Sequence, residues 1–202
     1  MRVYDYLDSG NGYKVRLLLW QLQQPFAWTE LDIVAGETRT PEFLRKNLNG
    51  RIPALELDDG RIIAESNAIL FYLADGSDYL STDRYERALT LQWLFFEQYS
   101  HEPFVATPRY ILRHLPADHA RRAELEWRLP KGHEALAVME HHLSDQPFFV
   151  AGRYSIADIA LYAYTHVAGE GNLDLAPYPA VRNWLARVAA QPRHRPITAR
   201  PE

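Results

Sequence analysis

The 202-residue chain has no cysteine. Disulfides, thiolate metal sites and a nucleophilic protein thiol are therefore excluded together. The absence also suits a reducing compartment. Long hydrophobic runs are missing as well, the apolar stretches falling far short of the roughly 20 residues a membrane helix needs. The opening Met1-Arg2-Val3-Tyr4-Asp5-Tyr6 is too polar for a secretory leader. Nor are there cationic blocks. Lys and Arg total 22 against 26 Asp and Glu, giving a net charge of −4, and they are scattered along the chain. No nucleic-acid or membrane partner is expected. What remains, with 47% hydrophobic residues, reads as a soluble, cytoplasmic globular protein with one or two cores.

The pattern of elements divides this length in two. Residues 2–6 read as a strand. Val15, Leu18, Leu19 and Leu22 follow helical spacing and predict an amphipathic helix near residues 13–24. A second strand is predicted at 27–33, and Thr40-Pro41-Glu42 reads as an N-cap followed by a first-turn proline. Asp58-Asp59-Gly60-Arg61 between two short apolar runs is a hairpin signal. Ser66 is read as the cap of a helix that Gly76 ends. The order is β-α-β-α-β-β-α. Beyond a turn-rich stretch at 77–83, only helical periodicity is found. A long helical stretch at 84–114 carries Pro103 and Pro108 as interruptions, and another at 118–143 carries Pro130. Ser155-Ile156-Ala157-Asp158 is a capping-box signature, and Val181, Trp184, Leu185 and Val188 define a last helix ending near Pro192. A small α/β domain (1–77) followed by an all-helical one (84–202) is expected.

Three segments of the first part carry candidate chemistry. Ser9-Gly10-Asn11-Gly12 opens a helix whose first N–H groups face whatever lies before it. A thiolate there is stabilised, and the Ser9 hydroxyl can donate to it. Taken alone, the segment is an ordinary capped turn. It is also a partial dinucleotide-binding fingerprint, with Asp32 twenty residues beyond Gly12, but the third glycine is missing and a hairpin follows where a crossover helix should. Asn49-Gly50-Arg51-Ile52-Pro53 precedes a strand, where an extended edge can pair with a peptide-like ligand and Arg51 can meet a carboxylate. An isolated X-Pro bond is trans in about 95% of cases. Glu65-Ser66-Asn67 starts a helix whose N–H groups suit a carboxylate, with Glu65 suited to an ammonium, or is simply a good cap.

In this order and spacing the three segments resemble the cytosolic glutathione transferase superfamily, over essentially the whole chain. The strings that carry the resemblance are Ser-Gly-Asn-Gly-Tyr-Lys-Val-Arg-Leu-Leu-Leu, Gly-Glu-Thr-Arg-Thr-Pro-Glu-Phe-Leu, Asn-Gly-Arg-Ile-Pro-Ala-Leu, Glu-Ser-Asn-Ala-Ile-Leu and Ser-Ile-Ala-Asp. The first is similar to the serine-type bacterial, theta-like and nu-like branches. The resemblance implies a thioredoxin-like N-terminal domain followed by an all-helical C-terminal one. It makes glutathione the cosubstrate and implies attack of its thiolate on a small hydrophobic electrophile, with no metal. Ser9 is implied as the hydroxyl facing the sulfur, with Asn11 as helper or replacement. The bond before Pro53 is implied to be cis, with the Ile52 backbone pairing with the cysteinyl part. Glu65 and Ser66 match the γ-glutamyl site, and Thr38, Arg39 and Arg51 the glycyl carboxylate. The Ser155–Asp158 box matches a folding element, and a homodimer is implied.

Relatives of this branch often carry cysteine at the position of Gly12 and proline at that of Leu48, so chemistry through that thiol is excluded here. Tyr6 stays as a minor alternative to Ser9. A glutathione-dependent disulfide reductase or peroxidase on the same site, or a noncatalytic glutathione-binding protein, remain open alternatives. Trp93, Phe96, Tyr99, Phe104 and Tyr110 offer aromatic surface toward an electrophile, although most are expected to pack the helical core. Gln98, His101 and Arg109 are polar positions on the same stretch. No metal site is expected: His101-Glu102-Pro103 lacks the His-Glu-x-x-His spacing, and His141 and His142 point to different sides of a helix.

Overall fold

Four short strands and three helices form the first part of the chain in the computed structural model, which describes residues 1–201. Strand β1 (Arg2–Asp5) runs parallel to β2 (Ala27–Glu30) and antiparallel to β3 (Ala54–Glu56), which pairs in turn with β4 (Ile62–Ala64). The sheet order is β2-β1-β3-β4. Val3 sits opposite Trp28 on one side and Leu55 on the other, so the strand alternation places these residues at one core. Val3, Val15, Leu19, Leu55 and Ile69 form that core, joining the sheet to α1 (Gly10–Gln21) and α3 (Ser66–Ala74). Helix α2 (Pro41–Lys46) begins as expected, with the Thr40 hydroxyl accepting from Phe43 N–H at 3.3 Å and Pro41 in its first turn.

Helix α1 departs from its expected form in two ways. It starts at Gly10 rather than near residue 13, because Ser9 caps it and its hydroxyl accepts from Gly12 N–H. It is also not amphipathic: every residue from Gly12 to Leu19 is buried. The reason is a third layer. The segment beginning at Pro192 clusters with Met1–Asp75, whereas Gly76–Gln191 forms the second unit. That returning segment covers a face of α1 that periodicity assigns to water. Tyr13 donates to the Arg195 carbonyl at 2.6 Å, and Arg16 donates to the carbonyls of Ile197 and Ala199 at 3.1 and 3.0 Å.

The second unit is helical: α4 (Arg84–Phe96), α5 (Glu102–His114), α6 (Leu125–Asp145), α7 (Ile156–Thr165) and α8 (Pro179–Ala189). Between α4 and α5, Glu97–His101 makes a wide π-type turn, and Pro103 begins the next helix. Pro108 and Pro130 lie inside α5 and α6 and end neither. The Ser155–Asp158 box is formed, with Ser155 N–H donating to Asp158 Oδ2 at 2.9 Å and Ala157 N–H to Ser155 Oγ at 3.3 Å. Asp158 also receives Trp184 Nε1–H at 2.9 Å and Phe149 N–H at 3.2 Å, tying α7 to α8 in the core. No helix among the described residues is long and apolar enough to cross a membrane.

Candidate functional site

The β1–α1 turn carries Ser9 and Asn11 at the N-terminal end of a largely buried helix. Ser9 is extended (φ −77°, ψ 123°), and its Oγ is used as the cap acceptor, which leaves its O–H as the donating end. The turn is held from behind by a buried pair. Arg16 Nε donates to Asp5 Oδ2 at 2.8 Å, and Arg16 Nη2 to the Leu7 carbonyl at 2.6 Å; both side chains are fully buried. Asp5 Oδ1 in turn receives Tyr6 N–H at 2.6 Å. Burial pushes the Asp5 carboxyl upward, against the opposing pull of Arg16. A Cβ on Gly12 would fall 1.4 Å from Asp5 Oδ1. The glycine therefore makes room for an internal carboxylate, rather than for a ligand as its turn context suggests.

Helix α3 opens next to Asn11. The sequence reading makes Ser66 its cap, but the helix already includes Ser66, and the capping position belongs to Glu65. Glu65 sits at φ 68°, a left-handed value rarely adopted outside glycine, and gives no side-chain cap. The Ser66 hydroxyl instead points sideways, to neighbouring side chains. It donates to Asn11 Oδ1 at 3.1 Å and accepts from Lys14 Nζ at 3.3 Å. Lys14 Nζ also donates to Asn67 Oδ1 at 3.4 Å. The first N–H groups of α3 thus start without a side-chain cap, at the positive end of a helix beside a buried ammonium.

The remaining candidates gather around the segment before β3. The Ile52–Pro53 bond is cis, and Pro53 is buried. Asn47 ties this segment to itself: its Nδ2 donates to the Arg51 carbonyl at 2.8 Å, and its Oδ1 accepts from Asn49 N–H at 3.1 Å. Arg39 Nη1 donates to the Asn49 carbonyl at 3.0 Å. Gly50, at φ 60°, lies against Arg39 and the Thr38 carbonyl, so the Thr38–Arg39 turn and the Asn49–Arg51 loop are brought together. Thr38 is buried, and the Arg39 and Arg51 side chains are exposed.

Three other polar side chains are engaged elsewhere. Tyr4 donates to Glu56, whose carboxylate also receives Lys46 at 2.9 Å. His101 is fully buried, 2.9 Å from the Thr165 hydroxyl, and Arg109 is buried against Glu170 at 2.8 Å, so both belong to the helical interior. Trp93 packs on Phe96, His142 and Phe149 in that core, whereas Tyr99 is 84% exposed. No group of three or more His, Asp or Glu among the described residues is arranged to hold a metal ion. The residues missed in the sequence are Lys14, Arg16, Asp5 and Asn47. A signal existed for the cations: Lys14 and Arg16 interleave with Tyr13 and Val15 in a run that otherwise reads as core.

Comparison with known proteins places this geometry among relatives. Residues 1–75 match the family described as glutathione S-transferase, N-terminal domain, and residues 93–192 its C-terminal domain. The chain is 32% identical over 198 residues to the disulfide-bond oxidoreductase YfcG of Escherichia coli (strain K12), covering 93% of this chain and 89% of that protein. Among solved structures, a glutathione S-transferase from Pseudomonas fluorescens superposes with a TM-score of 0.94 at 50% identity, covering 98% of each chain. A possible glutathione S-transferase from Rhodopseudomonas palustris gives 0.94 at 46% identity, over 99% of this chain and 90% of that one.

Proposed function

We propose that this chain, which belongs to the cytosolic glutathione transferase superfamily, binds glutathione across Ser9, Asn11, Ile52 and Ser66 and uses its thiolate as a nucleophile toward a small hydrophobic electrophile. The observation that carries this reading is the start of α3. A nine-residue helix opens without a side-chain cap, and its Ser66 is joined to Asn11 of the β1–α1 turn. An α-carboxylate set on those N–H groups lies one hydrogen-bonded step from the residue offered to the sulfur. The cis Ile52–Pro53 segment supplies an extended edge for the cysteinyl backbone. Glu65 is assigned to the ammonium, and Thr38, Arg39 and Arg51 to the glycyl carboxylate. Arg39 and Arg51 are exposed and on adjoining segments, as such a role requires.

The energetics are adequate. A thiol of pKa about 8.5 is only a few per cent ionised near neutrality, and lowering it by about two units requires about 2.7 kcal/mol. One hydrogen bond to the thiolate supplies about 1.5–3 kcal/mol, and the helix end about 0.3–2. Bringing the thiolate and the electrophile together supplies the rest. Titrating bound glutathione by its ultraviolet thiolate absorbance tests the assignment. Ser9→Ala is expected to raise the apparent thiol pKa; a rise in Asn11→Ala with none in Ser9→Ala would transfer the main role to Asn11. Tight binding without turnover of any electrophile, unchanged in Ser9→Ala, would sink the enzymatic reading.

The likeness to a disulfide-bond oxidoreductase favours a second reading. With no cysteine of its own, the chain would reduce a disulfide with two glutathiones. The first thiolate displaces one sulfur as a thiol and forms a mixed disulfide. The second attacks that disulfide, yielding glutathione disulfide and the other thiol. Turnover of a hydroxyalkyl disulfide against an aromatic halide separates the two. A cytoplasmic homodimer completes the proposal: Leu91, Phe95 and Tyr99 leave apolar surface exposed along α4 and the turn after it. Light scattering on the purified protein tests the dimer.

A further inference from the structure

We infer that Arg16 and Glu30 are positioning residues for Ser9: they hold Leu7 by its carbonyl and its N–H, and both are anchored on the closing C-terminal segment. Ser9 ends the turn Tyr6–Ser9, which its own N–H closes on the Tyr6 carbonyl at 2.9 Å. A serine hydroxyl stands one carbon away from the backbone, so the turn decides where it lies. A donor displaced by more than about 0.5 Å is out of place for a reacting atom. The Leu7 carbonyl accepts from Arg16 Nη2 at 2.6 Å, and the Leu7 N–H donates to Glu30 Oε1 at 3.3 Å. The far ends of both side chains lead to the same segment. Arg16 Nη1 donates to the carbonyls of Ile197 and Ala199 at 3.1 and 3.0 Å. Glu30 Oε2 receives Arg200 Nη1 at 2.8 Å. Arg200 is itself held over the Trp28 ring, 5.5 Å from its centroid. A guanidinium and a carboxylate are rigid planes, so each keeps its two ends at a fixed separation. The Arg16 plane is further fixed by the buried Asp5, whose other oxygen takes the Tyr6 N–H. Two planes thus join one residue of the turn to the stretch Ile197–Arg200, two residues ahead of the hydroxyl offered to the sulfur.

The inference rests on the glutathione reading for its ligand. Bound glutathione is titrated by thiolate absorbance in wild type, Arg16→Lys, Glu30→Ala, Ser9→Ala and Ser155→Ala. Arg16→Lys keeps a charge beside Asp5, but one ammonium cannot span Asp5, Leu7 and the closing segment together. Arg16→Lys and Glu30→Ala are each expected to raise the apparent thiol pKa by about half a unit to one unit, and to add nothing in a Ser9→Ala background. Ser155→Ala, which weakens a cap in the second unit, is expected to leave the thiol pKa at its wild-type value and so separates positioning from lost stability. An unchanged thiol pKa in Arg16→Lys or Glu30→Ala would overturn the inference; should Arg16→Lys fail to fold, Glu30→Ala alone decides. Shifts that persist in full without the Ser9 hydroxyl, an equal shift in Ser155→Ala, or a Ser9→Ala titration equal to wild type would overturn it as well. Wild type that binds no glutathione would remove the proposed function instead. The positioning claim is then judged on the ligand-free Glu30→Ala crystal structure: Leu7 and the Ser9 hydroxyl displaced by more than about 0.5 Å support it, and both in their wild-type places refute it.

Discussion

Gly12 shows how one missing methyl group can be structural. The space its Cβ would take is filled by the Asp5 carboxylate, which Arg16 and Tyr6 N–H hold in place. Gly12→Ala is expected to cost about 1–3 kcal/mol, because the carboxylate has nowhere buried to go. A urea midpoint equal to wild type would show that Asp5 yields freely. At this scale the sequence was legible only in part. Ser9, Asn11 and Ser66 announced themselves as helix-start residues, and the structure does bring Asn11 and Ser66 together. The roles of Lys14 and Arg16 were hidden, because a cation in an apolar run declares burial only once its partners are known. Those partners lie 52 residues away for Lys14 and as far as 183 for Arg16.

Among the elements, α7 and its capping box were the easiest to read, since both partners of the box lie within four residues. Its energetic consequence depends on tertiary burial. Asp158 is fully buried, and desolvation raises its pKa from 3.8 to about 6 despite four hydrogen bonds that favour the charged form. A raised folded-state carboxyl contributes stability that is present below pH 4 and lost as pH climbs through about 6. The stability difference between wild type and Asp158→Asn is therefore expected to shrink by about 2 kcal/mol between pH 4 and 7.5, read from urea unfolding at each pH. A constant difference would mean that Asp158 does not titrate in that window. Ser155→Ala, which removes the cap acceptor and one of the donors to Asp158, is expected to cost about 0.5–2 kcal/mol at pH 4, read from the same urea unfolding. Helix α3 is harder to read: Ser66 reads as its cap because Ser favours that place. The left-handed Glu65 moved the start by one residue, and no propensity scale foretells that choice.

At the scale of the whole molecule, the two-part division was visible in the change from mixed to purely helical periodicity. The return of the chain from Pro192 to the first unit was not, because that segment has no regular element to betray it. Its backbone carbonyls are what Arg16 binds, so side-chain patterning carries no trace of the contact. Arg16→Met, which leaves Asp5 buried beside a neutral side chain, is expected to cost about 3–5 kcal/mol in thermal or urea unfolding. A loss below about 1 kcal/mol would show that water or a rearranged tail replaces the guanidinium. The returning segment also sets an order of events at the ribosome. Residues 1–75 leave the exit tunnel early, yet Arg16 cannot meet the carbonyls of Ile197 and Ala199 until more than 180 further residues have been made. Residues 1–75 are thus completed only after Gly76–Gln191 have been made, and nascent chains halted before Pro192 are expected to carry a protease-sensitive first unit that becomes resistant once the closing segment emerges.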